Sequence, residues 1–314
     1  GGTLTASAST DLVVMAVECG VPDGLIQTIA GTGTTGYNGD GIPATDAQVS
    51  TPYGLFVDLH GNVLIADDAG NRVRRIDAAT GMIATLAGTG VSGWSGDDIA
   101  ATASKLGRPL GVAGDEAGNT YVADWGTNRI RKISAASGLI TTIAGGGSLG
   151  FNGDSIPAST AWLNGPQDVA VDPLGRILIA DRGNHRIRRV DPATGLISIV
   201  AGNGTQAFGG DGGSATAANL NAPCGVASDD SGNIYIADNG NNRVRVVDAV
   251  TGTIRTLAGN GMGGSFGDGG PATAAWVGGP VKVCADRRGN VYVSSPFSLV
   301  VRRVIQKAGR NKIY

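Results

Sequence analysis

The feature that most constrains this chain is a period of 57 residues. The dipeptide Ala-Gly stands at Ala30-Gly31, Ala87-Gly88, Ala144-Gly145, Ala201-Gly202 and Ala258-Gly259. Gly-Asp keeps the same step at Gly39-Asp40, Gly96-Asp97, Gly153-Asp154, Gly210-Asp211 and Gly267-Asp268. A third marker, Ala-Asp, stays in phase at Ala66-Asp67, Ala123-Asp124, Ala180-Asp181 and Ala237-Asp238. Three markers in phase make the chain a tandem of one structural unit, and the unit decides the fold.

Within a unit, four short apolar or alternating runs are separated by Gly, Asn and Asp, which reads as four strands, a to d, joined by tight turns. In the unit that starts near Thr51 the runs are Gly54 to Asp58, Asn62 to Ala66, Arg72 to Asp77 and Met82 to Ala87. A Gly-rich connection of about twenty residues, such as Gly31 to Pro52, links strand d to the next strand a and is too long for a simple turn. Four-stranded meanders repeated at a fixed step close into a ring, because radial packing covers both faces of each small sheet. The expected fold is an all-β propeller occupying residues 1–314 as one domain.

At Ile65-Ala66-Asp67 with Asn71-Arg72-Val73-Arg74-Arg75-Ile76, and again at Ile179-Ala180-Asp181 with Asn184-His185-Arg186-Ile187-Arg188-Arg189-Val190, the chain resembles the NHL-repeat family. The resemblance covers nearly the whole chain. It implies a β-propeller and a role in protein, RNA or glycan recognition, and it leaves activity open. Units begin near residues 51, 108, 165, 222 and 279, the last ending in the weaker run Arg310 to Tyr314. Residues 1–31 read as a partial blade, with Thr3 to Ser7, Leu12 to Glu18 and Leu25 to Ala30 as its strands b, c and d. Six blades are therefore expected, one inner strand short. Five is the alternative, with Leu25 to Ala30 completing the last blade.

The composition narrows the function classes. With 53 Gly but 41% hydrophobic residues the chain is not of disordered type, so the glycine belongs at regular turns. A net charge of -2 gives no reason to expect nucleic acid or an anionic membrane as partner. No apolar run is long enough to cross a bilayer, so no membrane insertion is expected. Cys19, Cys224 and Cys284 form neither a disulfide framework nor a zinc motif. The start does not read as a signal peptide, but the chain opens on Gly1-Gly2, which allows for a leader removed by processing. The compartment is otherwise undetermined, and an extracellular or cell-surface setting within a larger assembly is the expectation.

Regularity strips the most conspicuous residues of catalytic meaning. Asp67, Asp124, Asp181 and Asp238 after strand b, and Arg72, Arg129, Arg186 and Arg243 opening strand c, recur in unit after unit, as a turn brace or an Asp–Arg bridge between blades would. The last unit has Ser295 and Val300 instead. The long loops repeat an aromatic, Tyr37, Trp94, Phe151 and Phe208, with Phe266 displaced by one residue, and the expected role is to plug the loop onto the rim, with an exposed ring that stacks on sugars or peptide as the alternative. Loop aspartates are read as turn stabilisers. Asp97 and Asp98, the adjacent pair, are the best calcium candidates, and no cofactor is otherwise expected.

Function is sought where the units disagree. At the start of strand a the chain reads Tyr53-Gly54, Leu110-Gly111, Gln167-Asp168, Cys224-Gly225 and Val281-Lys282. Gln167, Asp168 and Lys282 break the symmetry. With Tyr53 and Trp125 they are the expected ligand-binding residues of the channel and loop face, with Asp168 and Lys282 as a polar plug or salt bridge and an acid–base pair as the alternative. His60 and His185 fall on opposite faces, which rules out a multi-histidine zinc site, and no nucleophile–His–acid set can be placed. The sequence thus points to a non-catalytic module for a protein or glycan partner. The alternative is a calcium-dependent hydrolase or lyase with Asp168 as a channel ligand.

Overall fold

The computed structural model describes residues 27–286, 289–307 and 310–313. Five antiparallel meanders follow one another along the chain. Blade 1 consists of strand a, Pro52–Val57; b, Val63–Asp67; c, Arg72–Ile76; and d, Met82–Ala87. Blade 2 runs from Pro109–Gly114 to Leu139–Ala144, blade 3 from Pro166–Val171 to Leu196–Ala201, and blade 4 from Pro223–Ser228 to Ile254–Ala258. Blade 5 runs from Lys282–Ala285 to Arg310–Ile313. The fold is an all-β propeller of small antiparallel sheets. Blades 1 to 3 each carry a fifth strand of two residues, Ile42–Pro43, Ile99–Ala100 and Ile156–Pro157, laid by the long loop against the outer strand d.

The core lies between successive sheets. Leu64, Ala66 and Val73 of blade 1 pack with Val112 and Val122 of blade 2, and the same contact repeats around the molecule. The repeated dipeptide Ala-Gly closes strand d: Gly88, Gly145, Gly202 and Gly259 sit at φ between +91° and +96°, where a side chain is strained. Their amides donate to the carbonyls of Ala101, Ala158, Ala215 and Ala272, which open the short 3-10 turns that lead into the next strand a.

The described residues hold five blades where the sequence pointed to six. Of the strands expected in the partial blade, Thr3 to Ser7, Leu12 to Glu18 and the beginning of Leu25 to Ala30 lie outside the described residues. Residues 27–30 form no strand, and the amides of Gly31 and Thr32 bond instead to Ala44 and Ala47 beside the first 3-10 turn. The flanks carry the same mark. Leu55 is 63% exposed, whereas its counterparts Val112, Val169, Val226 and Val283 are 6% or less. Val301 is 74% exposed, whereas Val73, Ile130, Ile187 and Val244 are fully buried.

Candidate binding face around the channel mouth

The aspartate after strand b is a backbone brace. Asp67 accepts the amides of Ser50 and Thr51 at 3.0 and 2.9 Å, Asp124 that of Gly107, Asp181 that of Asn164 and Asp238 that of Asn221, so each ties its own blade's strand a to strand b. Burial pushes Asp124, Asp181 and Asp238 up to about 6. The arginine that opens strand c is not this aspartate's bridging partner. Arg243 stacks 3.7 Å over the Phe208 ring and donates to the carbonyls of Asn241 and Asn260. Arg72, Arg129 and Arg186 do the same with Tyr37, Trp94 and Phe151, at 3.9, 4.4 and 4.0 Å. Each therefore ties two consecutive long loops together. The loop aromatics are held onto the rim as expected, with Tyr37, Trp94 and Phe208 still 42 to 47% exposed.

The loop aspartates meet a second arginine of strand c, which the sequence reading did not single out. Arg74, Arg131, Arg188 and Arg245 are fully buried, and they reach Asp40, Asp97, Asp154 and Asp211 at 3.0, 3.1, 3.8 and 2.6 Å. Asp97 also accepts from Thr142 Oγ1 at 2.9 Å, while Asp98 is exposed at φ +57°. Among the described residues no three His, Cys, Asp or Glu side chains converge on one point.

The channel positions owe their direction to a β-bulge. The register of strands a and b slips between Pro52 and Gly54, Pro109 and Gly111, Pro166 and Asp168, and Pro223 and Gly225. Tyr53, Leu110, Gln167 and Cys224 are the extra residues, re-aimed off the ladder. Gln167 Nε2 donates to the Tyr53 hydroxyl two blades away. Blades 1, 2 and 4 have glycine at the position of Asp168, and the close approach of inner strands accounts for the glycines: a Cβ on Gly54 would collide with the carbonyl of Leu110. The Asp168 carboxylate passes over the next strand a, accepts the Val226 amide at 3.1 Å and pairs with Lys282 Nζ. Burial raises the Tyr53 phenol to about 12 and raises the Cys224 thiol against the opposing charge of Arg182. Both stay protonated near neutral pH.

Above these residues lies a ring that the sequence reading caught only at Trp125. The position following the bracing aspartate is Asp68, Trp125, Arg182, Asn239 and Pro296 in successive blades. Arg108 reaches back from blade 2 to hold Asp68 through two bonds of 2.8 and 3.0 Å, and its guanidinium lies 4.7 Å over the Trp125 ring. Trp125 in turn covers Gly165 of blade 3. The signal was present in the sequence, since five different side chains occupy a position whose preceding residue hardly varies. His185 is explained in the same way. Its Nδ1 accepts the Ala222 amide at 3.0 Å, as Asn71, Asn128 and Asn242 accept those of Arg108, Gly165 and Gly279.

Comparison with known proteins agrees with this architecture. The NHL repeat matches residues 163–190, and the Teneurin NHL domain matches residues 197–265. The Arabidopsis thaliana protein SUPPRESSOR OF QUENCHING 1, chloroplastic, is 28% identical over 298 residues, covering 91% of this chain and 28% of that protein. Mouse Teneurin-1 is 29% identical over 252 residues, 70% of this chain and 9% of that protein. Human NHL repeat-containing protein 2 is 26% identical over 293 residues, 83% of this chain and 40% of that protein. The chain thus spans less than half the length of each of these relatives. Two solved structures share the fold: an auxiliary nutrient binding protein from Bacteroides ovatus, with TM-score 0.58, 19% identity, and 85% of this chain on 60% of that one, and a Xanthomonas campestris gluconolactonase, with TM-score 0.55, 17% identity, and 85% on 76%. The 57-residue unit, the Asp brace, the strand-c arginines and these matches place the chain among the NHL-repeat β-propellers.

Proposed function

We propose that this chain is a protein-interaction module of a larger protein, recognising its partner on the loop face around the channel mouth. The observation that carries the reading is the ring Asp68, Trp125, Arg182, Asn239 and Pro296. Five different side chains stand at this position, while the residues that hold the turn in place repeat. A face that combines a large aromatic ring, the guanidinium groups of Arg108 and Arg182 and an amide, with the Asp68 carboxylate buried beneath Arg108, suits one specific partner surface, and Trp and Arg are the side chains that most often dominate such contacts. Beneath it, Tyr53 with Gln167 and Asp168 with Lys282 form a polar floor. The extracellular setting and a glycan as the other partner class belong to the same proposal. Exposed rings on a neutral face also suit sugars.

The test is recovery of a partner by the wild-type chain, identified by mass spectrometry, and its titration against variants. Trp125→Ala and Arg182→Glu should weaken binding at least tenfold, while Leu174→Ala, at an exposed turn on the opposite face, should leave it unchanged. Equal binding by all four proteins would overturn the reading. The alternative is a channel calcium site with Asp168 as ligand, serving a hydrolase or lyase. It requires Asp168 to exchange Lys282 and the Val226 amide for the ion. A chelator-removable ion at one per chain, with turnover lost in Asp168→Asn, would replace the interaction reading.

A further inference from the structure

Blade 5 departs from its sisters at one place on the loop face, and the departure opens a groove. Blades 1 to 4 set an aromatic ring at the same point of the long loop and clamp it with the strand-c arginine. In blade 5 that point is Ser265, and the arginine's position is Val300. Asn184 and Asn241, which send their amides to the loop carbonyls of Gly150 and Ala207, are replaced by Ser298. The result is a groove of about 470 Å³ that no charged side chain lines. Phe266 forms one wall, braced edge-on by Trp276 at 5.0 Å between ring centroids and 65% exposed. Phe297 is also exposed at the groove and lies across Gly279.

We propose that this groove receives an aromatic side chain of the protein partner. In four blades an aromatic ring of the chain itself stands at the loop position that Ser265 takes here, so a ring offered from outside restores at this rim what the other blades supply internally. The lining matches in chemistry as well. Two phenyl rings offer stacking or edge contacts, the glycine backbone allows close approach, and the Ser265 and Ser298 hydroxyls provide neutral polar groups. The absence of charge in the lining disfavours an acidic or basic side chain.

The inference rests on reading this face as a protein-binding surface, and a small probe tests it without the partner. The full chain is titrated with N-acetylphenylalaninamide, and in parallel with maltose, while the amide resonances of Gly264, Ser265, Gly278 and Ser298 are followed by NMR. The expected result is saturable shifts of these amides with the aromatic probe. Binding should weaken at least tenfold in the double variant Ser265→Phe/Ser298→Asn, which refills the groove with the side chains of blade 4. Because Phe297 is exposed, Phe297→Ala keeps the fold and should weaken the probe several-fold, which guards against misfolding of the double variant. Absence of saturable shifts, unchanged affinity in Phe297→Ala, or a response to maltose in place of the aromatic probe would overturn the assignment. Each of these outcomes leaves partner capture at Trp125 standing, whereas loss of partner capture with the probe still bound would remove the protein-binding reading and not the groove.

Discussion

A carboxylate enclosed by protein is stabilised by its hydrogen bonds and penalised by lost hydration, and at Asp124, Asp181 and Asp238 the penalty leads, lifting each to about 6. A folded-state value raised above the ordinary carboxylate value means that folding takes up protons. The associated stability is fully present below the unfolded value of 3.8 and is lost as pH rises through about 6. His185 has the opposite sign. Burial lowers its folded value, so its contribution is lost as pH falls. Asp77 and Asp248, held low by hydrogen bonds from Thr80 and Thr251, act only at pH values below this range. In a His185→Asn background, which keeps the acceptor the other blades use, the urea midpoint should be higher at about pH 5 than at about pH 7.5. The gain should be on the order of 1 kcal/mol for each aspartate. A lower midpoint at the acid value would refute this account. The sequence already marked these aspartates as structural, because each recurs with the repeat. It gave no sign of which amides they hold, since those partners are 16 or 17 residues away across a sheet edge.

Between elements, a less visible device locks the turns of the face opposite the proposed binding face. Asn62 donates to Asp58 within the a–b turn and accepts the Ala78 amide of the c–d turn at 3.0 Å, and Asn119 with Ala135 and Asn233 with Ala249 repeat this staple. Blade 3 lacks it for a covalent reason. The residue that should donate is Pro192, which has no N–H, and the asparagine is replaced by Arg176, whose Nε instead holds Asp172 at 2.7 Å. Arg176→Asn alone should therefore cost stability, and Pro192→Ala alone should gain nothing from the staple. The double variant should recover a coupling of about 0.5–1.5 kcal/mol, measured as a double-mutant cycle in urea. Additive effects would mean that the staple contributes nothing. The strands and tight turns were legible because Gly, Asn and Asp punctuate alternating runs. The staple was not, because it joins two turns that only sheet formation brings together, although the paired change at Arg176 and Pro192 is its trace in the sequence.

At the scale of the whole molecule, a repeat can be counted from the sequence more easily than a ring can be closed. The period depends on local pairing and recurs in every unit, but the number of blades depends on what covers the first and last flanks, and no in-phase marker records that. Leu55 illustrates the difference: by sequence it is equivalent to Val112, Val169, Val226 and Val283, yet its side chain faces no described neighbouring blade. The same reasoning separates channel from flank. Gln167, Asp168 and Lys282 were legible as breaks in symmetry, while the bulge that aims Tyr53 and Gln167 appeared only in the register of strands a and b. The flank supports a quantitative test. Val169→Ala removes methyls from a packed interface between sheets and should cost about 1–3 kcal/mol, through lost burial and the cavity left behind. Leu55→Ala removes a larger side chain from an exposed position and should cost less than about 0.5 kcal/mol. Urea unfolding of the two variants decides the matter. If Leu55→Ala proves as costly as Val169→Ala, the flank of blade 1 is covered in solution, and the five described blades are not the whole of the packed ring.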